Sequence, residues 1–291
     1  MDNIYFLMVV ALAVLAIADL VVGVSNDAVN FLNSAIGSKA ISFKTIMIVA
    51  SLGIAFGAMS SSGMMEVARK GIFVPGEFYF DEIMIIFMAV MITDILLLDF
   101  FNTLGMPTST TVSIVFELLG AAVVISLIKI AQSNTQSISD LGSYINTAKA
   151  TEIILGILLS VVVAFSIGAL VQYVSRLLLS FKFKDKASWV GALFGGIAAT
   201  AITYFIFIKG LKGTSFISGD FKEFVFTNTP LIVGISFIIW TGISALITNV
   251  FKVSVYKFII LIGTFAIAMA FAGNDLVNFI GVPIGGWQAY E

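Results

Sequence analysis

The 291-residue chain is 59% hydrophobic and 11% charged, with a mean hydropathy of +1.10. A soluble domain usually carries about 25% charged residues, so the composition implies an integral membrane protein in contact with a lipid bilayer. A net charge of −2 without an extended basic cluster excludes nucleic acid as a partner, and the absence of cysteine and histidine removes disulfides, thiolate nucleophiles and the commonest general base and transition-metal ligand.

A hydrocarbon core about 30 Å thick needs roughly 20 apolar residues as helix. Eight segments satisfy that measure, at 4–24, 44–64, 82–101, 109–128, 152–179, 188–208, 231–250 and 255–271. The fold class expected is therefore an all-α membrane protein of about eight transmembrane helices, some broken or re-entrant, with 109–128 the candidate for a shorter or re-entrant segment. The first segment has a small-x-small sequence, Ala16-Ile17-Ala18, but Met1-Asp2-Asn3 lacks the positive flank of a signal peptide, so it reads as a retained span. Gly53 and Gly57 in the second span, and Gly191 and Gly195 in the sixth, are spaced for close helix contact. Arg176, Lys182, Lys184 and Lys186 form the densest basic loop, which places that loop in the cytoplasm and the N-terminus outside. The polar stretches 132–149 and 209–229 would then be external.

A twelve-residue phrase follows the first span. Asn26 to Gly37 reads NDAVNFLNSAIG, and Asn274 to Gly285 reads NDLVNFIGVPIG, with seven of twelve positions identical at a separation of 248 residues. Such a polar repeat in apolar surroundings marks a site rather than packing. By span counting, the helices leading into the two copies run in opposite directions, which makes an inverted-topology repeat. The chain then divides into a first repeat (1–130), a connecting region (131–229) and the start of a second, incomplete repeat (230–291). Asp27 and Asp275 occupy equivalent positions, and Asn30 and Asn278, three residues on, share a helical face with them. Carboxylate and amide oxygens without soft ligands suit a hard cation.

A second constellation, Gly105-Met106-Pro107-Thr108-Ser109-Thr110-Thr111, opens the fourth span. Free amides and the helix dipole favour an anion there, and the hydroxyls add neutral donors. The same residues equally suit plain capping of the helix. Of the other intramembrane acids, Asp19 and Asp94 read as interior groups bonded to another span, and Asp99 as a solvated helix-end residue. Glu66, Arg69 and Lys70 read as loop or interface pairs.

These residues resemble a known family. GVSNDAVN and AGNDLVN are similar to the paired GANDVAN signatures of the inorganic phosphate transporter (PiT) family of sodium- or proton-coupled symporters, Glu66 to Ile72 resembles its E-T-I-R-K-G-L segment, and Pro107 to Thr111 matches its P-x-S-T-T-H element. Three features depart from the pattern. Val112 replaces the family histidine, Glu117 stands where a small residue is usual, and the second P-x-S-T-T element does not occur before Glu291. The last implies a fragment, or a half-transporter completed by another chain or by assembly as a homo-oligomer such as a dimer.

The resemblance implies inorganic phosphate bound by Ser109, Thr110, Thr111, Asn26 and Asn274. It implies a coupling cation, Na⁺ at Asp27 and Asp275 with Asn30 and Asn278, and no other cofactor. No lysine or arginine lies within either motif, Lys39 being the nearest in sequence, so a bound cation is needed to screen the anion from the two aspartates. The expected function is Na⁺- or H⁺-coupled phosphate symport in the plasma (inner) membrane by alternating access, not an enzymatic activity. Two alternatives remain open: a permease for sulfate or a related oxyanion, and an intramembrane hydrolase using the Asp27/Asp275 dyad as acid and base. A non-transporting membrane partner is a third.

Overall fold

The computed structural model describes residues 2–60, 71–133, 135–180, 188–207 and 218–290. Glu66, Arg69 and Lys70, the basic loop residues Lys182, Lys184 and Lys186, and the Asn274 side chain lie outside what is described.

Among the described residues the chain is helical throughout, apart from short turns and one isolated backbone bridge. The helices are α1 (Asp2–Ser38), α2 (Phe43–Ser60), α3 (Phe80–Thr103), α4 (Thr110–Gln132), α5 (Leu141–Tyr144), α6 (Thr147–Leu179), α7 (Ser188–Phe205), α8 (Gly219–Thr227), α9 (Thr229–Asn249), α10 (Val255–Asn274) and α11 (Leu276–Tyr290). Seven helical stretches are long and apolar enough to cross a membrane, and an eighth, Phe43–Met59, is apolar but shorter. Each of the eight expected segments is therefore helical over most of its described residues. The fourth is not curtailed: α4 is 23 residues long, enough for a full crossing. The first span was expected to end at 24, ahead of the polar motif, yet α1 runs unbroken through the motif for 37 residues. At 1.5 Å per residue that is about 55 Å, well beyond the hydrocarbon thickness. No proline or glycine pair enters the motif, and Asn26 and Asn30 take partners through their side chains, leaving the backbone ladder intact.

The chain packs as two compact units, one from Met1–Asn30, Gly63–Leu158 and Asn274–Glu291, the other from Phe31–Ser62 and Leu159–Gly273. The divisions at 130 and 229 follow the sequence repeat, whereas the packing units interleave distant segments.

In the first unit α3 and α4 form an antiparallel hairpin, pinned at both ends by polar contacts. At one end Lys129 donates to Glu82 (2.7 Å) and to the Glu77 carbonyl (2.8 Å), lying 4.5 Å from the Tyr79 ring centroid. At the other, Ser113 donates to Asp94. Phe73, Phe78 and Tyr144 close the hairpin's base with edge-on ring contacts, beside the bridge between Phe73 and Ile145. Against this hairpin lies a second pair, α1 and α11. Gly23 faces Phe279, Leu12 faces Gly286 and Phe6 faces Tyr290. Ascending numbers in one helix meet descending numbers in the other, so the segments carrying the two motif copies run antiparallel.

In the second unit the small residues work as the spacing implies. A Cβ on Gly53 would lie 2.5 Å from the Phe265 carbonyl oxygen, and one on Gly57 would collide with that of Met269, so α2 and α10 touch backbone to backbone. In α7 the tight positions are Gly195 and Gly196, which abut Ser244 and Thr241 of α9, while Gly191 is looser. Helix α6 buries only Ala150, leaving an apolar surface of the kind lipid solvates.

Candidate functional site

The site grows from the turn between α3 and α4. The chain leaves α3 through Gly105 at φ +67°, a left-handed conformation that costs glycine little, and Pro107 keeps the approach extended. Ser109 is the N-cap of α4, its hydroxyl accepting from the Val112 amide at 3.4 Å. The Thr110 and Thr111 amides, in the first turn, have no intrahelical acceptor. The helix therefore begins with open N–H groups and the positive end of its dipole.

Asn26 holds this turn in place. Its amide donates to Asn102 Oδ1 (2.9 Å) and to the Met106 carbonyl (3.1 Å), and its Oδ1 accepts from the Thr108 amide (2.8 Å). Asn102 in turn donates to the Val22 carbonyl at 3.0 Å. The Asn26 carboxamide, expected to meet the anion, thus spends both hydrogens on protein and acts as a brace. Asn102 was not singled out from the sequence; a lone amide near the end of an apolar helix, three residues before a turn glycine, was the available signal.

Thr111 ties copy two to the same helix start. Its hydroxyl donates to Asp275 Oδ1 (2.8 Å) and accepts from Asn278 Nδ2 (2.9 Å). Its one hydrogen is therefore committed to the carboxylate in this conformation. Asp275 itself sits in a one-residue break between α10 and α11, with its carbonyl accepting from the Asn278 amide at 3.0 Å. A carboxylate is favoured there by the positive end of α11.

Asp27 is 4% exposed, with Asn30 (3.3 Å) and Thr110 as polar neighbours and Asp275 close enough to act on its charge. Its Oδ2 is buried and receives no hydrogen bond. Thr110 and Asn278 are also buried, Thr111 and Asp275 half-buried, and Asn30 and Ser109 exposed. The fold thus gathers Asp27, Asn30, Thr110, Thr111, Asp275 and Asn278 around the start of α4. Chemically, the arrangement offers an anion open amides and hydroxyls, and offers a hard cation one orphaned carboxylate oxygen between two acids. Asp99 is exposed, as a helix-end acid should be.

Known proteins resemble the chain in the same sense. A protein of Pyrococcus furiosus named "Putative phosphate permease" is 26% identical over 263 residues, covering 88% of this chain and 60% of that protein. One of the same name from Thermococcus kodakarensis is 24% identical over 266 residues, covering 88% and 61% respectively. The chain thus spans about three-fifths of the length of these relatives. Among solved structures, one titled "The sodium-dependent phosphate transporter" superposes with a TM-score of 0.74 at 19% identity, over 97% of this chain and 67% of that one, a likeness of fold. The phosphate transporter family matches residues 23–291, nearly the whole sequence and both motif copies, and the chain belongs to that family.

Proposed function

We propose that the protein carries inorganic phosphate across the membrane together with a cation. The observation that carries this reading is the buried, undonated Oδ2 of Asp27, set beside Asp275 and next to the open N-terminus of α4. Leaving a carboxylate oxygen buried without a donor is costly, and a Na⁺ ion held by Asp27 and Asp275, with the oxygens of Asn30 and Asn278, would relieve that cost. The same ion would screen both acids from phosphate approaching Ser109, Thr110 and the first-turn amides of α4. Cation and anion then raise each other's affinity, which is the thermodynamic content of coupling. Asn26 positions the anion-binding turn, and Thr111 couples it to copy two.

The antiparallel run of the two motif-bearing segments supports an inverted repeat with alternating access. The names of the relatives, and membership of the phosphate transporter family, favour phosphate over sulfate and transport over the hydrolase reading of the two aspartates. The lysine and arginine distribution supports an N-terminus outside.

Proteoliposomes containing the protein should accumulate labelled phosphate when an inward Na⁺ gradient is imposed. Uptake indifferent to Na⁺ would remove Na⁺ as the coupling ion, and strong competition by sulfate at equal concentration would reassign the anion.

A further inference from the structure

Some 250 residues separate the two aspartates already discussed, but a second group of acids converges within the same unit and plays no part in that account. Asp19 of α1 and Asp94 of α3 are both 0% exposed, and Glu117 of α4 is half-buried beside Ser113, which is 7% exposed. Ser113 Oγ lies 2.5 Å from Asp94 Oδ1 and 2.7 Å from Glu117 Oε1. Asp19 lies within hydrogen-bonding reach of Asp94 and faces Glu117. Neither oxygen of Asp19 receives a hydrogen bond from a protein donor, nor does Asp94 Oδ2 or Glu117 Oε2.

Counting hydrogens decides what this cluster must contain. A serine hydroxyl carries one hydrogen, so it can donate to Asp94 or to Glu117 but not to both. The other short oxygen–oxygen contact needs a hydrogen supplied by the carboxyl. The approach of Asp19 to Asp94 poses the same demand, because two ionised carboxylates only accept. Two lysines of this unit pair elsewhere, Lys129 with Glu82 and Lys149 with Glu152. Among the described residues, the ionisable groups acting on the cluster are acids: one another and, more distantly, Asp27, whose own neighbour is Asp275. Among the described residues no group of three acidic side chains has the geometry to hold a metal ion.

We propose that Asp19, Asp94 and Glu117, bridged by Ser113, form a proton-binding site distinct from the Asp27/Asp275 pair. Glu117 is its point of exchange. It lines, with Ser113, Ser109 and Thr108, a groove of about 750 Å³ between α3 and α4 whose other walls are largely apolar. A proton entering there passes from Glu117 through the Ser113 hydroxyl to Asp94 and Asp19: each oxygen gives up one O–H bond as it accepts the next, so no co-reactant is needed. Ser113 stands one turn below the start of α4, its amide donating to the Ser109 carbonyl at 3.0 Å. An anion at that helix start strengthens the cluster's hold on its proton, and this linkage alone rests on the phosphate reading.

The test is infrared difference spectroscopy of the full chain in lipid, titrated with acid in the absence of phosphate. The protonated-carboxyl C=O band should be present, should shift in D₂O, and should lose intensity in Glu117→Gln and in Asp94→Asn. Ser113→Ala, which changes no charge, should move the band without abolishing it. Asp27→Asn should take away only the contribution of Asp27 itself and leave the component that Glu117→Gln and Asp94→Asn remove. Size-exclusion profile and thermal unfolding establish that each variant is folded, and Ser113→Ala serves as the reading should an acid variant fail to fold. A spectrum without the band at any pH, a band untouched by Glu117→Gln and by Ser113→Ala, or one removed by Asp27→Asn would overturn the proposal. Because no phosphate is present, this result is independent of whether phosphate is transported.

Discussion

The two copies of the motif share seven of twelve residues yet occupy unlike surroundings. Copy one sits within an unbroken helix, its aspartate buried and its Oδ2 without a donor. Copy two straddles a helix junction, its aspartate half-buried at the start of α11 and receiving the Thr111 hydroxyl. In copy one the first asparagine braces a turn 80 residues away, whereas the second is exposed and reaches only its own aspartate. In copy two the second asparagine is buried and bonded to Thr111. A duplicated sequence has thus been put to two uses: the first copy braces the turn before α4 and keeps a buried acid without a donor, and the second clamps the helix that the turn begins.

That asymmetry can be broken experimentally, and the largest effect belongs to the buried acid of copy one. Asp27→Asn should lower Na⁺-driven phosphate uptake by about 100-fold, the scale of removing one partner from a buried charge pair, whereas Asp275→Asn should cost about tenfold because an amide oxygen can still accept from Thr111. Equal losses in a proteoliposome assay would mean that the copies are functionally equivalent. Asn26→Ala should come next, at about 2 kcal/mol of stability in thermal unfolding, since it leaves the Met106 carbonyl and the Thr108 amide without their partner. Unchanged unfolding would show that the turn holds itself.

Thr111→Val should reduce uptake about tenfold while Thr111→Ser restores it, because only the hydroxyl joins Asp275 to Asn278. A serine variant as poor as valine would shift the role to the methyl group. The smallest effects probe the antiparallel contact itself. Gly23→Ala should cost about 1 kcal/mol as its Cβ meets the Phe279 ring, and Gly286→Ala less, since its obstacle is a terminal methyl of Leu12 at 2.6 Å that can rotate aside. Reversal of that order in detergent melts would place the tight contact elsewhere.

Local chemistry was legible before any coordinates. Hydropathy over windows of about 20 residues fixes which stretches become membrane helices, since backbone groups in lipid must be satisfied within the segment. The repeat is written in residue identity, and Ser109 announces itself as a cap because capping involves neighbours within one turn. Less legible was the continuity of α1: a polar cluster reads as an interruption, but its side chains find distant partners and leave the helical ladder undisturbed. The commitment of Asn26 to the turn, the grip of Thr111 on copy two and the meeting of Asp19 with Asp94 and Glu117 all join residues far apart in the chain. Helical periodicity records which face a residue shares with its near neighbours, and it carries no information on which helix that face will meet. Sequence alone therefore determined that acids and amides would lie inside a helical membrane protein; packing decided which would stand together, and hence which could hold a cation, an anion or a proton.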